Sequence, residues 1–249
     1  MQWALPAGVH ALCTTRIGGV SQPPFDSLNL GDHVQDDEVA VQANRTRLQH
    51  HMAPARPVFL KQVHGVDVAV LDARTSQGAT ADACVSTQAN VACTIMVADC
   101  MPLLFTDTHG RVVAAAHAGW RGLAAGVIEQ TVRAMQQQAP TQAADIQVWL
   151  GPCIGPSHFE VGDDVHAAFV SQDERAQACF AAHPVHSNKW LADLPALARL
   201  RLHALGVESI AGNDSSLAWC TVAQHSKLFS FRRDGVTGRF AVCIWRDGA

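Results

Sequence analysis

Charge is scarce in this chain. Asp, Glu, Lys and Arg make up 16% of its 249 residues, where about 25% is ordinary for a soluble domain. Lys and Arg number 18 and Asp and Glu 22, a formal charge of −4. No basic run of the kind that tracks a phosphate backbone occurs. Nucleic acid is therefore not expected as the main partner, although the count leaves room for a local basic pocket. No CxxC pair occurs among the eight cysteines, at positions 13, 84, 93, 100, 153, 179, 220 and 243. That speaks against a zinc knuckle and a thioredoxin-type pair. A chain of this length needs no disulfide staples, so reduced, intracellular cysteines are the simplest reading. No basic segment precedes an apolar stretch in MQWALPAGVHALCTTR, so no signal peptide is expected and the location is read as cytoplasmic. No apolar run is long enough to suggest a membrane span.

Several enzyme signatures are also missing. There is no GxGxxG, no Walker sequence, no GxSxG elbow and no HxH pair. No internal repeat or low-complexity linker appears. With 48% hydrophobic residues the chain is rich enough for a large core, and one α/β domain over residues 1–249 is expected rather than two separable ones.

What is present reads as short strands and a few helices. Residues 1–35 suggest strand, loop, strand, with Gly18–Gly19, Pro23–Pro24 and Gly31 as breakers. Glu38 to His50 suggests a helix capped by Asp36 or Asp37. Pro57 to Gly65 and Val66 to Leu71 suggest neighbouring strands. VACTIMV, Val91 to Val97, carries no charge and suggests a strand covered on both faces. Pro102 is expected to interrupt the sheet after it. Leu103 to Phe105 and Val112 to Ala116 suggest a hairpin turning at Thr108–Gly110. Leu123, Val127, Ile128, Val132 and Met135 form one helical stripe. Ile146 to Leu150 is expected as a strand. Val165 to Val170, Glu174 to Ala181 and Pro195 to Leu205 are expected as helices, the last closed by Gly206. Val207 to Ile210, Leu228 to Arg232 and Arg239 to Trp245 complete the strands, the last two joined by Asp234–Gly235.

Two histidines and a cysteine stand where apolar strands end: His64 in KQVHG, Cys100 in VADCMP and His117 in AAAHAGWRG. Their separations do not make a metal motif. Residues at the same end of adjacent strands converge, however, and a His2Cys set suits Zn²⁺ with one tetrahedral position left open. The alternatives are buried structural side chains, or a Cys–His nucleophile pair. Asp82 and Asp99 flank the same strand, and Asp99 is placed to orient a histidine or to close an Asx turn. Gln62 shares the side of His64 by alternation, whereas Lys61 faces away. Arg121 opens the next helix, a setting that suits an anion or plain solvent. GPCIGP, residues 151–156, is either an amide-lined cradle or a rigid turn. FRRDGVTGR, residues 231–239, offers three arginines for a phosphate or a solvated hairpin.

These segments together resemble the YfiH family, long labelled laccase-domain or polyphenol oxidase proteins and also called peptidoglycan editing factor. Thr14–Arg16 with Gly18–Gly19, Ser27–Gly31, Lys61–Gly65, Ala98–Cys100, His117–Gly122, Gly151–Gly155, Cys220–Thr221 and Phe231–Arg239 carry the resemblance nearly end to end. It implies a compact α/β sandwich with a mixed sheet of its own type. It implies a zinc site on His64, Cys100 and His117, and phosphorolysis of adenosine, inosine, guanosine and methylthioadenosine accompanied by adenosine deamination. Purine nucleosides and phosphate would be the partners of a monomer or weak homodimer, with Lys61, Asp82, Asp99 and Arg121 as catalytic candidates. Two alternatives travel with the family: editing of a serine-containing muropeptide precursor, and copper-dependent oxidation of phenols. A single His2Cys site also takes Cu²⁺ in vitro, since copper heads the affinity order, but the lack of HxH pairs speaks against a multicopper centre.

Overall fold

The uncharged run Val91–Val97 is a strand buried along its whole length. Its side chains alternate between two cores. Val91, Cys93, Ile95 and Val97 enter one, and Ala92 and Met96 the other. That period-two division sets the layering of the whole molecule. The computed structural model describes residues 3–248.

In chain order the elements are β1 (Val9–Cys13), α1 (Glu38–Met52), β2 (Arg56–Lys61), β3 (Val68–Val70), β4 (Ala79–Thr80), β5 (Ala83–Ser86), β6 (Val91–Val97), β7 (Met101–Asp107) and β8 (Val113–Ala118). Then come α2 (Trp120–Ala125), α3 (Val127–Gln138), β9 (Ile146–Leu150), β10 (Glu160–Gly162), α4 (Asp163–Val170), β11 (Phe180–Ala182) and β12 (Lys189–Ala192). The chain closes with α5 (Leu194–Ala204), β13 (Ser209–Gly212), α6 (Phe231–Asp234) and β14 (Phe240–Arg246).

Two mixed sheets stack face to face. One runs β1-β14-β6-β2-β4 and the other β13-β9-β7-β8-β5-β3, with β10-β12-β11 as a small third sheet. Val58, Ile95 and Val242 from the first meet Leu104, Ala115 and Trp149 from the second. Helix α1 covers the outer face of the first sheet through Leu48 and Met52. Helices α3 and α5 cover the outer face of the second through Val132, Met135, Leu197 and Leu202. The α/β class with mixed sheets is thus as expected.

Several boundaries differ, each for a local reason. Pro102 does not interrupt the sheet. It is the second residue of β7, where a missing N–H is tolerated, and its carbonyl accepts from Gly151 at 2.9 Å. The stripe from Leu123 to Met135 is broken into two helices by Gly126, whose φ of 101° ends one and opens the other. β2 and β3 are not neighbours but belong to different sheets. Leu228 to Arg232 forms no strand. Ser230 instead caps α6 by accepting from the Arg233 amide, so no hairpin forms with β14, which pairs with β1 and β6. Glu174 to Cys179 is a 3-10 turn leading into β11, and only one strand, β1, lies within the described part of residues 1–35. The Pro195 helix ends as expected, with Gly206 at φ 83°.

Candidate metal centre

Three times the chain crosses from the first large sheet to the second at one rim. The crossings are β2 to β3, β4 to β5 and β6 to β7. His64 lies in the first, Asp82 in the second and Cys100 in the third. His117 meets them from inside β8, paired in register with Pro102. The convergence read from strand ends is therefore real, but it joins two sheets rather than adjacent strands of one.

The ligand atoms of His64, Cys100 and His117 lie within 4.8 Å of one another. Cys100 Sγ is 3.6 Å from His64 Nε2, and the two imidazoles stand edge to face with centroids 4.7 Å apart. Asp82 holds this arrangement from behind. It is fully buried and accepts from the amides of Val63 at 3.1 Å, His64 at 2.8 Å and Gly65 at 2.7 Å. Its Oδ1 also pairs with His117 Nδ1 at 2.8 Å, and its carbonyl accepts from the His117 amide at 2.7 Å. Those amide bonds hold His64 at φ 62°, a left-handed conformation that costs a non-glycine residue about 1–3 kcal/mol. With Nδ1 committed to Asp82, His117 has Nε2 left to face an ion. Two imidazoles, one thiolate and a buried orienting carboxylate form a donor set that fits a borderline-soft divalent metal.

The electrostatics agree. Burial opposes ionisation of Cys100, but His117 and His64 beside it outweigh burial and lower the thiol to about 6. Burial likewise opposes protonation of His117, and Cys100 and Asp82 overcome it, raising the imidazole to about 9. In metal-free protein a thiolate–imidazolium pair therefore persists between about pH 6 and about 9. It is lost below as the thiol regains its proton, and above as His117 gives up its own. Burial pushes Cys13 and Cys243 up to about 12 and Cys179 to about 11. Metal-free protein treated with iodoacetamide is accordingly expected to be labelled at Cys100 with a half-maximal rate near pH 6. Peptide mapping that finds Cys100 unmodified until pH 9 would refute the ion pair.

The cluster opens into a cavity of about 420 Å³, within the usual range for small-molecule sites of roughly 300–1,000 Å³. Met96, Trp120, Ile154, Phe159, Leu194 and Phe231 form its apolar walls and Arg121, Arg232 and Arg239 its cationic ones, with the His33 imidazole, which burial and Arg239 hold below its ordinary pKa, beside them.

Of the residues named from the sequence, His64, Cys100, His117, Asp99 and Arg121 line this cavity, and Lys61 and Asp82 do not. Lys61 is exposed on β2, pointing away as alternation predicts. Asp82 lies behind the histidines with both oxygens occupied, so it is placed to position them and not to carry protons to a ligand. The role of orienting a histidine, read for Asp99, belongs to Asp82. Asp99 sits at φ 96° and accepts instead from the Thr221 hydroxyl and the Arg232 amide. GPCIGP is the rigid turn. The Cys153 amide donates to Trp219, Ile154 to Asp99 and Gly155 to Cys220 Sγ, so these donors are spent. Arg233 ties Asp234 to the carbonyls of Thr221, Val222 and Leu228, outside the cavity. Gln62 mimics a strand residue, donating to the Met96 carbonyl and accepting from its amide at 2.8 and 2.9 Å. Arg239 was legible only as one of three arginines in FRRDGVTGR. Gly119 belongs to the HAGWRG segment but carries no chemical signal of its own in the sequence, and a Cβ there would stand 2.9 Å from both Cys100 Sγ and His64 Cδ2.

A histidine–cysteine cluster at the mouth of a two-sheet α/β sandwich, with His117 buried and His64 open to the cavity, defines the class. The chain belongs to the family described as multi-copper polyphenol oxidoreductase laccase, whose model matches residues 10–247. It is 48% identical over 245 residues to the purine nucleoside phosphorylase YfiH of Escherichia coli, covering 98% of this chain and 96% of that one. A purine nucleoside phosphorylase of Pseudomonas aeruginosa is 49% identical over the same shares. Among solved structures, a Neisseria meningitidis protein superposes with a TM-score of 0.91 at 45% identity, covering 99% of this chain and 98% of that one. YlmD of Geobacillus stearothermophilus gives 0.84 at 32%, covering 97% and 93%. Among the described residues no helix is long and apolar enough to cross a membrane.

Proposed function

We propose that this chain is a purine nucleoside phosphorylase with one zinc ion on His64, Cys100 and His117. The carrying observation is that these three side chains face a cavity whose walls divide into aromatic surface and arginine. Phosphorolysis places a flat apolar base beside an anion, and this cavity offers both surfaces. The naming of the relatives as purine nucleoside phosphorylases supports the same reading. Adenosine, inosine, guanosine and methylthioadenosine are the substrates proposed.

In the reaction a phosphate oxygen attacks C1′, the C1′–N9 bond breaks, and the purine leaves with ribose 1-phosphate formed. Zinc, when bound, supplies a Lewis acid and a low-pKa water at the cavity wall. Asp82 holds the His117 ring through Nδ1 and the His64 turn through its backbone amide, so the ligand positions are set in advance. Trp120, Phe159 and Phe231 cover the base and exclude water from it, while the cationic wall offsets phosphate charge. Adenosine deamination is proposed as a companion activity; Asp99 is the carboxylate lining the cavity, and it carries a proton to a ligand only on releasing its bond from Thr221 or Arg232.

The test is inosine incubated with the purified protein, with and without phosphate. Hypoxanthine and ribose 1-phosphate are expected in equal amounts, and only with phosphate. Base release at the same rate in its absence would sink the proposal. Protein made without added copper is expected to carry zinc. Stoichiometric copper together with phenol turnover would replace this reading with the oxidative one.

Gly119 supplies a further check. Gly119→Ala inserts a methyl at 2.9 Å from the Cys100 sulfur and the His64 ring. Its expected result is a fall of about 10–100-fold in zinc affinity, comparable to loss of an orienting partner, with little change in thermal midpoint. Competition against a chelator measures the first and calorimetry the second. Unaltered zinc affinity would mean that the ion does not lie between these two side chains.

A further inference from the structure

Three arginines face the cavity, and their hydrogen bonds set them apart. Arg232 is spent as a strap. Its Nη1 donates to the carbonyls of His158 and Glu160, its Nη2 to Glu160, and its amide to Asp99. Arg121 is exposed, with its guanidinium 4.4 Å above the Trp120 ring. Arg239 is half-buried, and its stem lies against Gly31, where a Cβ would come within 2.8 Å of Arg239 Cγ. Nη1 of Arg239 donates to the carbonyls of Thr237 and Gly238 at 3.0 and 3.1 Å. Among the described residues Nε and Nη2 have no partner, and no carboxylate forms an ion pair with this side chain. Nε and Nη2 share one edge of the guanidinium, whose parallel donors match two oxygens of one phosphate or carboxylate. Asp99, the acid on the same wall, is turned onto Thr221 and Arg232.

A half-buried cation with no contacting counterion, and only the more distant charges of Cys100 and Asp99 facing it, is incompletely compensated until an anion completes it. Holding Nη1 on two carbonyls fixes the plane of the fork, so its open edge is oriented before any ligand arrives. His33, which lines the same wall, adds a second donor to that side of the cavity.

We infer that the Nε–Nη2 edge of Arg239 is the phosphate-binding element of this cavity, distinct from the strap Arg232. The inference rests on the phosphorolysis reading for its biological sense but is testable without it. Arg239→Lys keeps the charge and removes the fork. In the zinc-loaded enzyme it is expected to raise KM for phosphate by about tenfold or more while KM for inosine stays within about twofold. Gly31→Ala, which keeps the arginine and displaces its stem, is a second variant expected to raise the same KM selectively. Direct titration with inorganic phosphate, read as ligand-dependent thermal shift, is expected to show saturable binding to the parent protein and weakened binding to Arg239→Lys. If the parent turns over no nucleoside but binds phosphate through Arg239, the inference stands and the phosphorylase reading falls. If the parent phosphorolyses inosine and Arg239→Lys leaves KM for phosphate unchanged, the inference falls alone. A parent that binds no phosphate at millimolar concentration, or a phosphate effect found only in Arg121→Lys, overturns it as well.

Discussion

Cys100→Ala is expected to lose most of its zinc and at least about 10³-fold in kcat/KM for inosine plus phosphate, a transition-state cost of about 4 kcal/mol. Cys100 supplies the only sulfur in the cluster, and its neighbours already favour the thiolate, with the thiol at about 6. Alanine leaves two neutral donors, too few for a closed set of three protein ligands. The fold should survive. Cys100 is a half-buried residue of the β6–β7 crossing, whose backbone is fixed by other groups, including the Ile154 amide on the Asp99 carbonyl at 2.9 Å. Elemental analysis, steady-state kinetics and circular dichroism separate the three effects. Full activity in a metal-free Cys100→Ala protein would dispose of the metal reading.

Asp82→Asn is expected to be worse for the fold and nearly as harmful to the site. The carboxylate accepts four hydrogen bonds on two oxygens, three from backbone amides of residues 63–65 and one from His117. An amide side chain has one such oxygen, and its NH2 group would face donors. Removing one partner from a buried ionic cluster costs about 3–5 kcal/mol. Zinc affinity should drop about 10–100-fold as His117 loses its orienting carboxylate and the His64 loop relaxes from its left-handed turn. Burial opposes ionisation of Asp82, and the hydrogen bonds from His117, Gly65 and Val63 outweigh it and hold its pKa below the ordinary range. The stability it gives is therefore present above the ordinary carboxylate pKa and lost as pH falls through the lowered one, so Asp82→Asn should flatten the acid limb of a stability–pH curve. Chemical denaturation across pH reads that limb. A variant as stable as its parent, with unaltered zinc affinity, would show that Asp82 is not the organising group.

Much of this site could be read before any coordinates. His64, Cys100 and His117 were legible because each follows an apolar strand and precedes a chain breaker. Strands such as Val91–Val97 and Ile146–Leu150 carry an unambiguous burial pattern. What stayed hidden depended on pairing at a distance. β2 and β3 are separated by six residues yet belong to opposite sheets, and nothing local announces the crossing. Gly126 splits a helix whose apolar stripe continues through it, so periodicity alone reads one helix. Leu228 to Arg232 has strand-like composition, but Ser230 captures the Arg233 amide and turns the chain into α6. Asp82 and Asp99 are alike in sequence context. Only the folded chain shows that the first faces the histidines and the second a threonine 122 positions away. Arg239 was one charge in a run of three, and its open guanidinium edge is set by tertiary packing of its stem on Gly31 just ahead of β14 and by Nη1 bonding to Thr237 and Gly238.

X-ray absorption at the zinc edge of the purified protein tests the central claim most directly. A first shell of one sulfur at about 2.3 Å and two imidazole nitrogens at about 2.0–2.1 Å, with a light oxygen donor beside them, is the result this account predicts. A shell containing several sulfurs, a shell of nitrogen and oxygen alone, or no stoichiometric metal would contradict it.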